Sequence, residues 1–145
     1  ETGWALSIDC RKIMPQVLQV ETAPYPGFPT DLQSQLMAAA AAVPGLECYI
    51  RENLFEDRFV IAKELKKLGA EIEICQNEAY IRGVRRLNAA TLKPRELRGG
   101  AALVLAALAA EGVSEIEPDE YIRRGYEHID KDLRELGGEI CRVSG

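Results

Sequence analysis

What the sequence has least of narrows its chemistry first. Histidine occurs once, at His128, and the four cysteines (Cys10, Cys48, Cys75, Cys141) stand far apart without a Cys-x-x-Cys pair. Zinc sites need close ligand pairs, so no metal centre is expected, and the cysteines read as reduced, mostly buried thiols of a cytosolic protein. Long apolar runs are missing too: the longest, Ala101 to Ala110, is too short to cross a bilayer. The N-terminus carries neither a basic stretch nor an apolar one of the kind that directs export, so a soluble protein with no membrane partner is expected. Positive charge is in deficit. A formal net charge of −5 argues against general nucleic-acid binding, though not against a local cluster of arginines. What remains, 145 residues with 47% hydrophobic and 28% charged, suits one ordinary globular domain.

The most constrained stretch is Thr22-Ala-Pro-Tyr-Pro-Gly-Phe-Pro-Thr-Asp-Leu-Gln33. Its prolines fix φ and deny helix to the residues before them, which predicts an extended arm running straight into whatever begins at Thr30. Thr30 followed by Gln33 and the apolar run Leu36 to Val43 has the form of a capping box opening a helix over residues 31–43. Asp31 then lies in the first helical turn. It either complements the positive end of the helix dipole or presents an acid or base at the mouth of a site.

Alternation predicts strands at Trp4 to Asp9, Gln16 to Val20 and Leu46 to Ile50, and a hairpin of Glu71–Cys75 with Ala79–Arg82. Ile61, Leu65 and Leu68 mark an amphipathic helix at about 57–68, stopped by Gly69. A helix then runs from Glu96 through Ala110, a strand follows at Val113 to Ile116, and Ile122, Tyr126, Ile129, Leu133 and Leu136 predict an amphipathic helix over 119–136.

The second half repeats the first. Leu65-Lys-Lys-Leu-Gly-Ala-Glu-Ile matches Leu133-Arg-Glu-Leu-Gly-Gly-Glu-Ile at an offset of 68 (133 − 65), and Gly45 matches Gly112 at 67 (112 − 45). The repeat is of type β-α-β-α-β-β, with one copy at about 13–83, a second at about 84–143, and 1–12 the end strand of a preceding unit. Its first helices are apolar all round and its second helices on one face only, so the first are expected in the middle, packed on each other through alanine. The chain looks cut from a longer repeat protein, with Trp4 to Ile8 and Glu139 to Val143 as end strands that need pairing. That pairing joins either the ends of one molecule or those of neighbours, the latter making a homo-oligomer.

Asp31, Arg58, Arg98 and Arg124 could meet at one edge of such a stack. Arg98 begins a helix, where free N–H groups favour an anion, and guanidinium forks match phosphate and carboxylate, so a small doubly anionic ligand is the natural guest. Each arginine alone is as well read as a solvated surface residue.

Together with Glu52-Asn-Leu-Phe-Glu-Asp-Arg-Phe59, Leu97-Arg98 and its alanine-rich helix, and Ile122-Arg-Arg-Gly-Tyr-Glu127, the proline stretch resembles the C-terminal part of the UDP-N-acetylglucosamine 1-carboxyvinyltransferases, members of the enolpyruvyl transferase family. The likeness runs from about Gly3 to Val143. It implies a fragment of the inside-out α/β barrel of that family: two β-α-β-α-β-β repeats with buried central helices. It implies transfer of enolpyruvyl from phosphoenolpyruvate to the 3-hydroxyl of UDP-N-acetylglucosamine, without a cofactor, in the bacterial cytoplasm. Asp31 matches the aspartate that takes the hydroxyl proton. Arg98 and Arg124 match arginines that hold phosphoenolpyruvate, Arg58 an arginine near the sugar, and Leu54 and Phe55 the segment that contacts the nucleotide sugar. The rest of the machinery, including a lysine and a loop with a reactive cysteine, is implied in a missing N-terminal part, so the chain alone is expected to be inactive. A shikimate 3-phosphate enzyme of the same fold and a non-catalytic binding or assembly module are the alternatives. Three departures stand out: Glu96 for the family's usual Asp, Gly99-Gly100 for Ala-Ser, and Arg123 for Asp. The glycines predict a loose edge at the start of that helix.

Overall fold

A computed structural model describes residues 17–143. The expected strand at Trp4 to Asp9, the end segment 1–12 and Cys10 lie outside them. From residue 17 the chain runs β1 (Val17–Glu21), a 3-10 turn (Thr30–Leu32), α1 (Gln33–Ala41), β2 (Glu47–Arg51), α2 (Ala62–Lys67), β3 (Glu71–Cys75) and β4 (Glu78–Arg82). These strands form one sheet in the order β1-β2-β4-β3, with β1 and β2 parallel and the other pairs antiparallel. A parallel pair needs a crossover, and α1 supplies it. In β2 the alternation sends Cys48 and Ile50 inward and leaves Tyr49 outside, its ring 4.7 Å from that of Tyr80 on β4.

The rest of the described chain is built of shorter pieces, β5 (Leu87–Asn88), β6 (Thr91–Leu92), α3 (Leu97–Ala109), β7 (Ala110–Glu111), β8 (Glu115–Ile116), α4 (Glu120–Arg123) and α5 (Ile129–Glu135), and among the described residues no β-β hairpin follows α5. Here β5 pairs with β7 and β6 with β8, both parallel, so a broken strand pair again flanks a central helix. Gly69 and Gly137, the equivalent stops, take φ of +89° and +93°, a conformation in which a Cβ would be strained. The fold is mixed α and β.

The core lies where α1 packs on α3 and on β2 and β4, with α2 against α3. Met37, Ala41, Leu65, Leu68, Ile81 and Leu103 are among its fully buried side chains. Burial of the central helices is one-sided, however. Ala40 and Ala106 are buried, but Ala39 is exposed and Leu105 is 42% exposed. An all-apolar helix is enclosed only when neighbours surround it, and among the described residues each of these two has neighbours on part of its circumference.

Other expectations need correction. The proline stretch does not run straight: Gly27 N–H donates to the Pro24 carbonyl at 2.8 Å and Ala23 N–H to that of Phe28 at 3.0 Å, so it doubles back around a cis Tyr25-Pro26 bond. No capping box forms, because the Thr30 hydroxyl is engaged elsewhere and Gln33 is buried. The helix expected at 57–68 is shorter, since Asp57 has a φ of +54° that no right-handed helix passes through. The helix expected over 119–136 is two helices. The chain turns at Gly125, where Leu97 lies so close that a Cβ would meet its Cδ1 at 2.6 Å, and Leu136 on the expected inner face is 83% exposed. Glu139 to Val143 forms no strand. Of the described cysteines only Cys48 is buried, burial pushing its thiol up to about 11, whereas Cys75 and Cys141 are exposed.

Candidate functional site

Of the residues singled out by motif, Asp31, Leu54, Phe55, Arg58 and Arg98 lie around the ends of β1 and β2 and the start of α3. At the centre is a residue the motifs did not single out for a role. Glu52 follows β2 on the inward parity of Cys48 and Ile50 and is 3% exposed. Its Oε1 accepts from the Thr22 hydroxyl at 2.8 Å, the Leu54 N–H at 2.9 Å and the Phe55 N–H at 3.2 Å, and its Oε2 from the Thr30 hydroxyl at 2.8 Å. Burial pushes this carboxyl up, but the bonds from Thr30, Leu54, Thr22 and Phe55 together outweigh it and hold Glu52 below the ordinary glutamate value. Around it, Asn53 N–H donates to the Thr22 hydroxyl oxygen at 2.9 Å, and Asn77 Nδ2 to the Glu52 carbonyl at 3.0 Å.

Thr30 is followed by Asp31, whose carboxylate meets the Arg98 Nε at 2.5 Å. The structure thus brings together two of the residues proposed for one site, from the 3-10 turn and from α3. The expectation of an open anion seat at the helix start is not met, because the Glu96 carboxylate already accepts from the Arg98 and Gly99 N–H groups. The longer side chain at this departure from the family pattern reaches round to cap its own helix.

Arg98 and Arg58 line one cleft of about 300 Å³, between residues 57–64 and 93–99, with Lys93 and Arg95 adding positive charge and Asp57, Glu64 and Glu96 negative charge. Glu64 anchors the far wall, accepting from Lys67 Nζ at 2.6 Å and from the Lys93 N–H at 2.9 Å. Burial raises the Glu64 carboxyl, while Lys67 and the Lys93 amide overcome this and keep it low. Leu54 and Phe55 line a neighbouring groove of about 920 Å³ that shares Arg58 with the cleft. Arg58 spans the two, its Cζ 4.4 Å from the centre of the Phe55 ring.

Arg124 stands apart. It is exposed at the end of α4 and lines neither the cleft nor the groove, while its neighbour Arg123 pairs with Asp119 at 3.2 Å. The start of α3 is close-packed rather than loose: a Cβ on Gly100 would meet Ile122 Cγ1 at 2.6 Å, so the glycine is where α4 seats. Sequence reasoning missed Glu52, Lys93 and Arg95 as site residues. For Glu52 the available signal was a carboxylate on the buried parity of a strand.

Residues 4–133 match the family described as EPSP synthase (3-phosphoshikimate 1-carboxyvinyltransferase). The UDP-N-acetylglucosamine 1-carboxyvinyltransferase of Desulfofundulus thermocisternus is 48% identical over 126 residues, 87% of this chain and 51% of that protein. A protein of Carboxydothermus hydrogenoformans named UDP-N-acetylglucosamine 1-carboxyvinyltransferase 2 is 50% identical over 88% of this chain and 30% of its own length. The chain therefore spans between about a third and a half of these relatives. Among solved structures, the enolpyruvyl transferase NikO from Streptomyces tendae superposes with a TM-score of 0.78 at 30% identity, covering 90% of this chain and 30% of that one. An EPSP synthase from Acinetobacter baumannii shares the fold at a TM-score of 0.50 and 22% identity, over 61% of this chain and 22% of that one.

Proposed function

The chain belongs to the EPSP synthase family, and on that premise we propose that it forms one wall of a site that moves enolpyruvyl from phosphoenolpyruvate to the 3-hydroxyl of UDP-N-acetylglucosamine. This is the first committed step of peptidoglycan synthesis, placed in the bacterial cytoplasm. The observation that carries the reading is the Asp31–Arg98 pair at the edge of a cleft that Arg58 also lines. Relatives bearing the nucleotide-sugar name, rather than the shikimate one, support the choice of acceptor.

In this reading the pair is the resting arrangement. A phosphoenolpyruvate anion draws Arg98 to itself, since a guanidinium fork binds phosphate or carboxylate in two places, and Asp31 is released to accept a hydrogen bond from the sugar hydroxyl. Asp31 then takes the hydroxyl proton as the oxygen attacks C2, while C3 takes a proton from a general acid that the described residues do not supply. Loss of phosphate breaks the C2–O bond, and loss of a proton from C3 restores the double bond. Arginines fixed around C2 stabilise the crowded, charged intermediate between the two steps. Arg124 contributes to the phosphoenolpyruvate site on the strength of its motif. Leu54, Phe55 and Arg58 hold the sugar nucleotide along the groove.

Calorimetric titration of this chain with UDP-N-acetylglucosamine tests the assignment. Saturable binding is expected, weakened about tenfold or more by Arg58→Ala, the scale of one lost charge-assisted hydrogen bond. No heat at millimolar ligand would remove the basis for this wall of the site.

A further inference from the structure

The buried carboxylate of Glu52 lies off the route of the proposed chemistry, yet it touches both pieces of backbone that carry it. We propose that Glu52 is a positioning residue: it locks the turn bearing Asp31 to the loop bearing Leu54 and Phe55, so that the proposed base and sugar-contact segment are set as one unit. The role in the reaction rests on the function proposed above, while the lock itself is a property of this chain.

Three features carry the inference. First, the two oxygens divide their work. Oε1 gathers the Leu54 and Phe55 N–H groups and Thr22, while Oε2 takes Thr30 alone. One side chain therefore ties residues 54–55 to residue 30 directly, beside the longer route in which Asn53 bonds Thr22 and Ala23 bonds Phe28. Second, the chain of bonds continues without a gap in sequence or space: Glu52 to Thr30, Thr30 to its neighbour Asp31, Asp31 to Arg98 at 2.5 Å on α3. Third, the carboxylate is buried and fully engaged. Cutting one partner leaves a desolvated acceptor or donor, which makes the joint stiff where an exposed pair would be soft. A loop held by exposed contacts would let Leu54 and Phe55 drift independently of Asp31, and misplacement of about 1 Å is enough to cost catalysis heavily.

The test uses the whole chain, ligand-free, by NMR, with Glu52→Ala, Glu52→Gln and Thr30→Val. In Glu52→Ala the Leu54 and Phe55 amides should exchange with solvent about tenfold faster or more, and the Arg98 Nε–H resonance, which reports the bond to Asp31, should shift. Glutamine keeps an oxygen in the Oε1 position and should restore most of both readouts. Thr30→Val cuts only the Oε2 arm. It should move the Arg98 resonance while leaving Leu54 and Phe55 protected, and it decides the matter if Glu52→Ala does not fold. An Arg98 Nε–H resonance unmoved in folded Thr30→Val overturns the proposal, because a purely local role for Glu52 would leave it in place. Titration of the unaltered chain with UDP-N-acetylglucosamine is a separate arm: its failure removes the functional reading and leaves the resonance result to stand for the lock.

Discussion

The Glu52 carboxylate is buried and accepts from two hydroxyls and two backbone N–H groups. Glu52 falls on the inward parity set by Cys48 and Ile50, and that parity is visible in the sequence. Its partners Thr22 and Thr30 are 30 and 22 residues away and become neighbours only when β1 and β2 pair in parallel, so the lock itself was not legible. The same holds for Asp31. Its place after the prolines was evident, but its partner Arg98 depends on how α1 meets α3. The low folded-state titration of Glu52 has a consequence for stability. Unfolded, its carboxyl titrates at about 4.3. Because the folded value is lower, the stability it contributes is complete above the unfolded value and is lost as pH falls through the folded one. Denaturant unfolding of the native chain and of Glu52→Gln should therefore differ at neutral pH and converge as the pH drops from about 5. Glu64, depressed in the same direction, is common to both proteins and cancels in the difference. A gap between the two that stays constant down to the acid limit would count against an ionised Glu52 in the folded chain.

Among the elements, those fixed by local chemistry were the legible ones. The hairpin of β3 and β4, the stops at Gly69 and Gly137 and the span of α3 lie close to where alternation, periodicity and turn residues put them. Periodicity misled where the expected apolar face had too little to pack against: the run from Ile122 to Leu136 keeps helical spacing, yet it divides into α4 and α5 at Gly125. Helix propensity misled in the opposite direction at Gly99 and Gly100, which looked like weakness and are space. Alanine in a helix gains about 1 kcal/mol over glycine. At Gly100 the added methyl would lie 2.6 Å from Cγ1 of the buried Ile122, and overpacking of that kind costs about 1–3 kcal/mol, so Gly100→Ala is expected to be net destabilising. At Gly99 the obstacle is the Glu96 Oε1, the far end of a flexible side chain, so Gly99→Ala should be much milder and close to neutral. Parallel denaturant titrations of the two variants check this. Equal stability in both would mean that α4 is free to move off α3.

At the scale of the molecule, the described residues bring cations to the candidate site without enclosing it. Arg98 is neutralised by Asp31, the N–H groups at the start of α3 are taken by Glu96, and Arg124 lies outside the cleft that Arg58 and Arg98 share. Leu54 and Phe55, proposed to meet the sugar, are partly open to solvent. The chain also spans only 51% and 30% of the length of the two sequence relatives named above. Electrostatic stabilisation of a charged intermediate depends on excluding water, because an arginine that acts strongly in a closed, low-dielectric site is heavily screened in an open one. Binding is less demanding. A sugar nucleotide can lie along an open groove and gain part of its affinity from one arginine and two apolar side chains. The expected behaviour of the chain by itself is therefore a separation of the two properties: measurable affinity for UDP-N-acetylglucosamine, and no turnover. Phosphate release should match a no-protein control when both substrates are present at saturating concentration. Release above that control, dependent on both substrates and abolished by Asp31→Asn, would show that this wall alone performs the chemistry and that enclosure matters less than the open cleft suggests.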